Sequence, residues 1–138
     1  MTMNLFNNSP GRSKGIGILQ LRLFIGVRLI YGVMDNVLNW DHMLQFRDFL
    51  KLFNIPLPLT CAVTSVYVQL IAGVMFILGW KIRIAALLII FNFIIAIVVV
   101  HANDSFEQMT APLAILVSSL LFLFERAGRY SIEKEVVK

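Results

Sequence analysis

The sequence predicts an all-α fold: a bundle of four transmembrane helices with an interfacial amphipathic helix between the first and the second. Three observations predict it. Of 138 residues, 59% are hydrophobic and 14% charged, with a mean hydropathy of +0.81, whereas an average soluble domain is about 25% charged. Four apolar windows approach the roughly 20 helical residues needed to cross a hydrocarbon core of about 30 Å. The one long connection between them is too charged to cross, yet it is rich in apolar side chains. These features fit a single integral membrane domain over residues 1–138 whose first partner is the lipid bilayer.

The first span covers residues 17–39, GILQLRLFIGVRLIYGVMDNVLN, and carries Arg22, Arg28 and Asp35 inside it. Met1 to Lys14 shows no secretory-signal pattern, so this span is expected to stay in the mature protein. Residues 41–53 place Leu44, Phe46, Phe49, Leu50 and Phe53 among charges and read as a helix lying in the interface plane. Asn54, Pro56 and Pro58 end that helix and turn the chain back into the membrane. The second span, 59–79, lies in a window free of charged residues and stops at Gly79. The third, 84–101, follows a hairpin with Lys81 and Arg83 and is interrupted only by Asn92. The fourth, 110–124, has Thr110 placed to cap it and Pro112 in its first turn, where a missing amide is harmless. Gly128 is a plausible stop before the charged tail.

Lys and Arg are unevenly shared between the two sides. Arg12, Lys14, Lys81, Arg83, Arg126, Arg129, Lys134 and Lys138 fall on one side, and only Arg47 and Lys51 on the other. The positive-inside rule then puts both termini in the cytoplasm of a bacterial inner membrane. The net charge of +4 is read as this orienting bias, not as a nucleic-acid surface. A single cysteine, Cys61, excludes an internal disulfide, a CxxC redox pair and a thiolate zinc site, so any redox cofactor must be borrowed. His42 and His101 lack a second ligand at helical spacing, so no metal site is expected. Phosphate-binding glycine loops and nucleophile motifs do not occur.

Charges inside a span are costly and mark a functional-site hypothesis. At about 100° per residue, Gly17, Arg28, Gly32, Asp35 and Asn39 form one stripe, expected to face protein, with Arg22 about 120° away. Near half-depth the four spans carry Arg28, Gln69, Asn92 and Ser118, on rows of small residues suited to close packing. The expected arrangement has Arg28 donating to Gln69 and Asn92. Asp35, about 10.5 Å further along the axis, supplies the negative charge, and Tyr31 lies a turn away. The competing reading is polar glue between helices, worth about 0.6–2 kcal/mol per bond. A guanidinium at half-depth costs at least about 2.5 kcal/mol, and a neutral network would have avoided that cost. The candidate ligand-binding set is therefore Arg28, Tyr31, Asp35, Gln69, Asn92 and Ser118.

Several short motifs in a specific order carry a resemblance. Arg22-Leu23, Gly26 and Tyr31-Gly32, then Ile55-Pro56, the run from Gln69 to Gly73 ahead of Leu78-Gly79, Arg83-Ile84-Ala85-Ala86 and Gly128-Arg129-Tyr130-Ser131 look like the DoxX family of small four-helix membrane proteins. The segment from Tyr31 to Asn36, with Phe46-Arg47-Asp48-Phe49, resembles a subgroup of Bacteroidetes type. The resemblance implies four transmembrane helices, framework roles for Arg22, Gly32, Gly73 and Arg83, and an association with redox systems. Relatives include a quinone-linked thiosulfate-oxidising subunit and partners of oxidative-stress enzymes. Many relatives carry a carboxylate where this chain has Gln69 and a Lys near Asp35, so a carboxylate's role does not transfer.

The expected function is that of an accessory or subunit of a redox system, not a stand-alone enzyme. It would have no intrinsic cofactor and would hold a quinone or similar amphipathic head group at the polar layer. A membrane or periplasmic redox protein, or a second copy of the chain, would be its partner. The alternatives are a small-molecule or lipid binder or transporter without redox work, and a membrane scaffold.

Overall fold

The computed structural model of the protein describes residues 10–128 and 130–132. Arg129, Lys134 and Lys138, three of the cations counted for orientation, lie outside these residues, as does the Arg129 position of the tail motif. The described chain is mostly helical and forms no strand: α1 (Pro10–Leu38), α2 (Trp40–Lys51), α3 (Pro58–Leu78), α4 (Ile82–Ile95), continued by a π-helical turn (Ala96–Val100), and α5 (Phe106–Glu125). Four stretches are long and apolar enough to cross a membrane, Ser13–Leu38, Pro58–Leu78, Ile82–Val100 and Phe106–Glu125.

Successive helices pack in order. α1 lies along α3, α3 against α4 and α4 against α5, while α1 and α5 scarcely meet. The core between them is formed by Ile25 and Leu29 of α1, Ala72, Met75 and Phe76 of α3, Ile82, Ala85, Ala86, Ile89 and Phe93 of α4, and Ile115 and Phe122 of α5. Phe76 and Phe122 meet edge to face with centroids 4.9 Å apart, an arrangement that the ring quadrupoles favour. α2 covers the opposite end of the bundle from the tail. Its Met43 and Leu50 are buried with Val33, Ala62 and Val66, while Asp41, Asp48 and Lys51 stay exposed. Asn39 caps it by accepting from the amide of Asp41 at 2.9 Å.

The tail end is tied by backbone carbonyls. α3 stops at Gly79, whose φ of 72° is left-handed and whose amide donates to the Met75 carbonyl at 2.8 Å. A Cβ on Gly79 would stand 2.6 Å from Ser131 Cβ and 2.9 Å from both terminal nitrogens of Arg22, so a side chain is excluded by space as well as by conformation. Residues after α5 fold back over this end: Ile132 donates to the last carbonyl of α3, Leu78, at 3.3 Å. Lys14 pairs with Glu125.

Two local expectations are corrected. Thr110 is not the cap of the last helix, which begins four residues earlier. There Ser105 accepts from the Gln108 amide at 3.4 Å and the Gln108 side chain accepts from the Ser105 amide at 3.3 Å, a reciprocal capping box. Pro112 consequently lies inside α5, not in its first turn, and removes the amide that would bond the Gln108 carbonyl. The Thr110 hydroxyl donates to the Phe106 carbonyl at 2.9 Å instead.

Candidate functional site

The polar stripe of α1 does not face the bundle core. Arg28, Gly32, Asp35, Asn39 and Gly17 are all exposed, and the buried row is Gly15, Ile18, Arg22, Ile25, Leu29 and Val33. The reason is close packing. Gly26 on this face meets Gly73 of α3, and each glycine's missing Cβ is what lets the two backbones approach. The long aliphatic side chains beside Gly26 fill the core, and Arg28 is left at the edge of the packed face.

That edge opens into a groove of about 180 Å³ lined by Arg28, Leu29 and Gly32 of α1, Gln69 of α3, Phe93 of α4, and Ala111, Pro112 and Ile115 of α5. It lies where α1 and α5 part, with α3 and α4 as its floor. For scale, a cavity of about 150 Å³ in another protein holds benzene. The structure thus brings together Arg28, Gly32 and Gln69. It leaves Tyr31, Asp35, Asn92 and Ser118 off the groove lining: Tyr31 is 79% exposed, Asp35 is exposed, and Asn92 and Ser118 are half-buried.

Within the groove, Arg28 forms no hydrogen bond or ion pair with any described residue. Its side chain runs along its own helix over Gly32, so that Nη1 stands 2.9 Å from where a Cβ on Gly32 would be. Gln69 does not bond Arg28. Its Nε2 donates to Ser65 Oγ at 3.2 Å, one turn away on α3, and Oε1 remains open among the described atoms. The expected Arg28–Gln69–Asn92 network with Asp35 as counter-charge is therefore not formed. The guanidinium has five donors and no acceptor of its own, and a ligand oxygen is the kind of partner it lacks.

Arg22 stands in contrast. It is 1% exposed and donates through Nε to Phe76 O at 3.0 Å, through Nη2 to Tyr130 O at 2.9 Å and through Nη1 to Ala127 O. Carbonyls near a helix C-terminus lack amide partners and carry the negative end of the helix dipole. Arg22 gathers such carbonyls from the end of α3 and from the chain leaving α5. Arg83 does similar work at the surface, donating to the Leu123 carbonyl near the end of α5 at 3.3 Å. Gly73 serves the α1–α3 contact already described.

Two further polar groups lie off the groove lining, and one of them, Ser119, escaped the sequence reading. Ser119, next to the expected Ser118, is fully buried, and its hydroxyl has no hydrogen-bond partner among the described residues. His101, closing the π-helical turn, has Nδ1 2.6 Å from Asp104 Oδ2. No group of three or more His, Cys, Asp or Glu able to hold a metal ion occurs among the described residues.

Residues 17–102 match the family model described as DoxX, a stretch that covers most of α1, all of α2 and α3, and α4 with its π turn. The chain belongs to the DoxX family. No curated protein and no solved structure matches it. In this DoxX protein the matched stretch supplies Arg28, Leu29, Gly32, Gln69 and Phe93 of the groove, while Ala111, Pro112 and Ile115 lie beyond it on α5.

Proposed function

We propose that this DoxX protein is a non-enzymatic or co-catalytic subunit of the bacterial inner membrane, with both termini in the cytoplasm. Its α1/α5 groove holds the oxygen-bearing head of an amphipathic ligand, with a quinone as the ligand class and a redox protein as the partner served. One observation carries this reading: a guanidinium without a partner among the described residues lines a groove of single-ring size between α1 and α5. Arg28 donates to a carbonyl or enolate oxygen of the head. Gln69 offers its open amide oxygen to a hydroxyl, and Phe93, Leu29 and Ile115 supply apolar contact for a ring. A low-dielectric surrounding strengthens the Arg28 contact.

The test is mass spectrometry of the solvent extract and of co-purifying proteins, from protein isolated in mild detergent as wild type and as Arg28→Met. A charge-assisted hydrogen bond is worth about 1.5–3 kcal/mol, so the variant retains about ten- to a hundredfold less ligand. An oxygen-headed amphiphile enriched on the wild type and lost from the variant supports the reading. Identical extracts, from proteins equally well folded, overturn it.

A further inference from the structure

The groove carries one positive charge and no negative one. Of its eight lining residues only Arg28 is ionisable. The one carboxylate of α1, Asp35, lies about 10.5 Å further along the axis, and it is exposed and off the lining. On α5, Glu107 is exposed and off the lining as well, and Glu125 is engaged by Lys14 at the far end of the helix. On the adjoining loop, Asp104 is held by His101. No carboxylate of the described chain balances the guanidinium.

Gly32 bears on the pose of that cation. Gly32 leaves bare the surface over which the Arg28 side chain lies, and any Cβ there would press on Nη1 at 2.9 Å. The fork of a guanidinium matches the two oxygens of a carboxylate, and the charged pair binds about twice as strongly as a neutral acceptor. The groove lies between α1 and α5, both of which also expose apolar side chains elsewhere, Phe24, Val27 and Leu38 on one and Val117, Leu121 and Phe124 on the other.

We infer that the groove selects a singly charged anionic amphiphile, a carboxylate-sized oxyanion head held by Arg28 with an apolar tail that leaves through the α1/α5 opening into the bilayer. The inference rests on the head-group reading above and adds the ligand's charge. One guanidinium neutralises one negative charge. Gly32 is the positioning residue, because without a Cβ it leaves Nη1 room to lie where it does.

The experiment measures equilibrium binding of three probes to the protein in nanodiscs of zwitterionic phosphatidylcholine, at a pH well above the carboxylate range: laurate, dodecanol and a decyl-tailed benzoquinone. Laurate binds about tenfold or more tightly than dodecanol. Arg28→Gln removes that preference, Arg28→Lys keeps part of it, and Gly32→Ala reduces it while leaving dodecanol unchanged. Equal binding of laurate and dodecanol, or a laurate preference that survives Arg28→Gln, overturns the inference. If the quinone binds in an Arg28-dependent way and laurate does not, the anion selectivity falls and the head-group reading stands. If none of the three binds, both fall. Should Arg28→Gln fail to fold, the Gly32→Ala and Arg28→Lys comparisons decide alone, and an unchanged laurate preference in both overturns the inference.

Discussion

Gly26 of α1 and Gly73 of α3 face each other so closely that neither admits a side chain: a Cβ on Gly26 would lie 2.7 Å from the Gly73 carbonyl oxygen, and one on Gly73 would lie 2.9 Å from that of Gly26. Both obstacles are backbone, which cannot swing aside. Gly26→Val or Gly73→Val is expected to destabilise the bundle by about 1–3 kcal/mol, the range for overpacking. Gly17→Ala, where a Cβ meets nothing within 4 Å, is expected to leave stability unchanged. Thermal unfolding in detergent, followed by loss of the monodisperse species, checks both.

Arg22 is a structural cation, and its removal tests that role separately from any ligand. Arg22→Met leaves the carbonyls of Phe76, Ala127 and Tyr130 without their donor. Leaving a buried acceptor without its donor costs about 1–3 kcal/mol, and the loss of all three is expected at the upper end of that range or above it. Arg22→Lys retains the charge but cannot reach three carbonyls in a fixed plane, so it falls between the two. The same unfolding measurement ranks wild type above Lys above Met.

Ser119 predicts the opposite sign. Its buried hydroxyl lacks a partner among the described residues, and an unpaired buried polar group costs about 1–3 kcal/mol. Ser119→Ala is therefore expected to raise the melting temperature or leave it unchanged. A clear drop would mean that the hydroxyl finds a partner in the membrane.

The proposed orientation places the tail in the cytoplasm. A green fluorescent protein fused after Lys138 is then fluorescent, and an alkaline phosphatase fused there is inactive. The reverse pattern would invert the topology.

The spans were legible because each is a long apolar run, the fourth read short as 110–124, and the amphipathic α2 because Phe46, Phe49 and Leu50 sit among charges. The contents of the groove were half legible. Arg28 and Gln69 stand out by residue type, and the structure puts both on one surface. Which face of α1 turns inward was not legible, because a stripe of polar residues and a row of Ile, Leu and Gly both read as interior. The choice was made by the fit of Gly26 against Gly73, 47 residues apart in sequence. The role of Arg22 depends on carbonyls 54, 105 and 108 residues away, which no local pattern announces. The true start of α5 was present as the Ser105 to Gln108 spacing of a capping box and was masked by the more apolar stretch after Thr110.

The most direct measurement is ligand protection inside the groove. In a Cys61→Ser background, Ala111→Cys places a thiol on the groove lining, and Val117→Cys places one on the exposed face of the same helix. Alkylation by a lipid-soluble maleimide is timed with and without bound laurate or short-chain quinone. Occupation of the groove at Arg28 slows labelling of the Ala111 thiol, leaves the Val117 thiol unaffected, and loses its effect in Arg28→Met. Equal labelling rates at Ala111 with and without either ligand would contradict it.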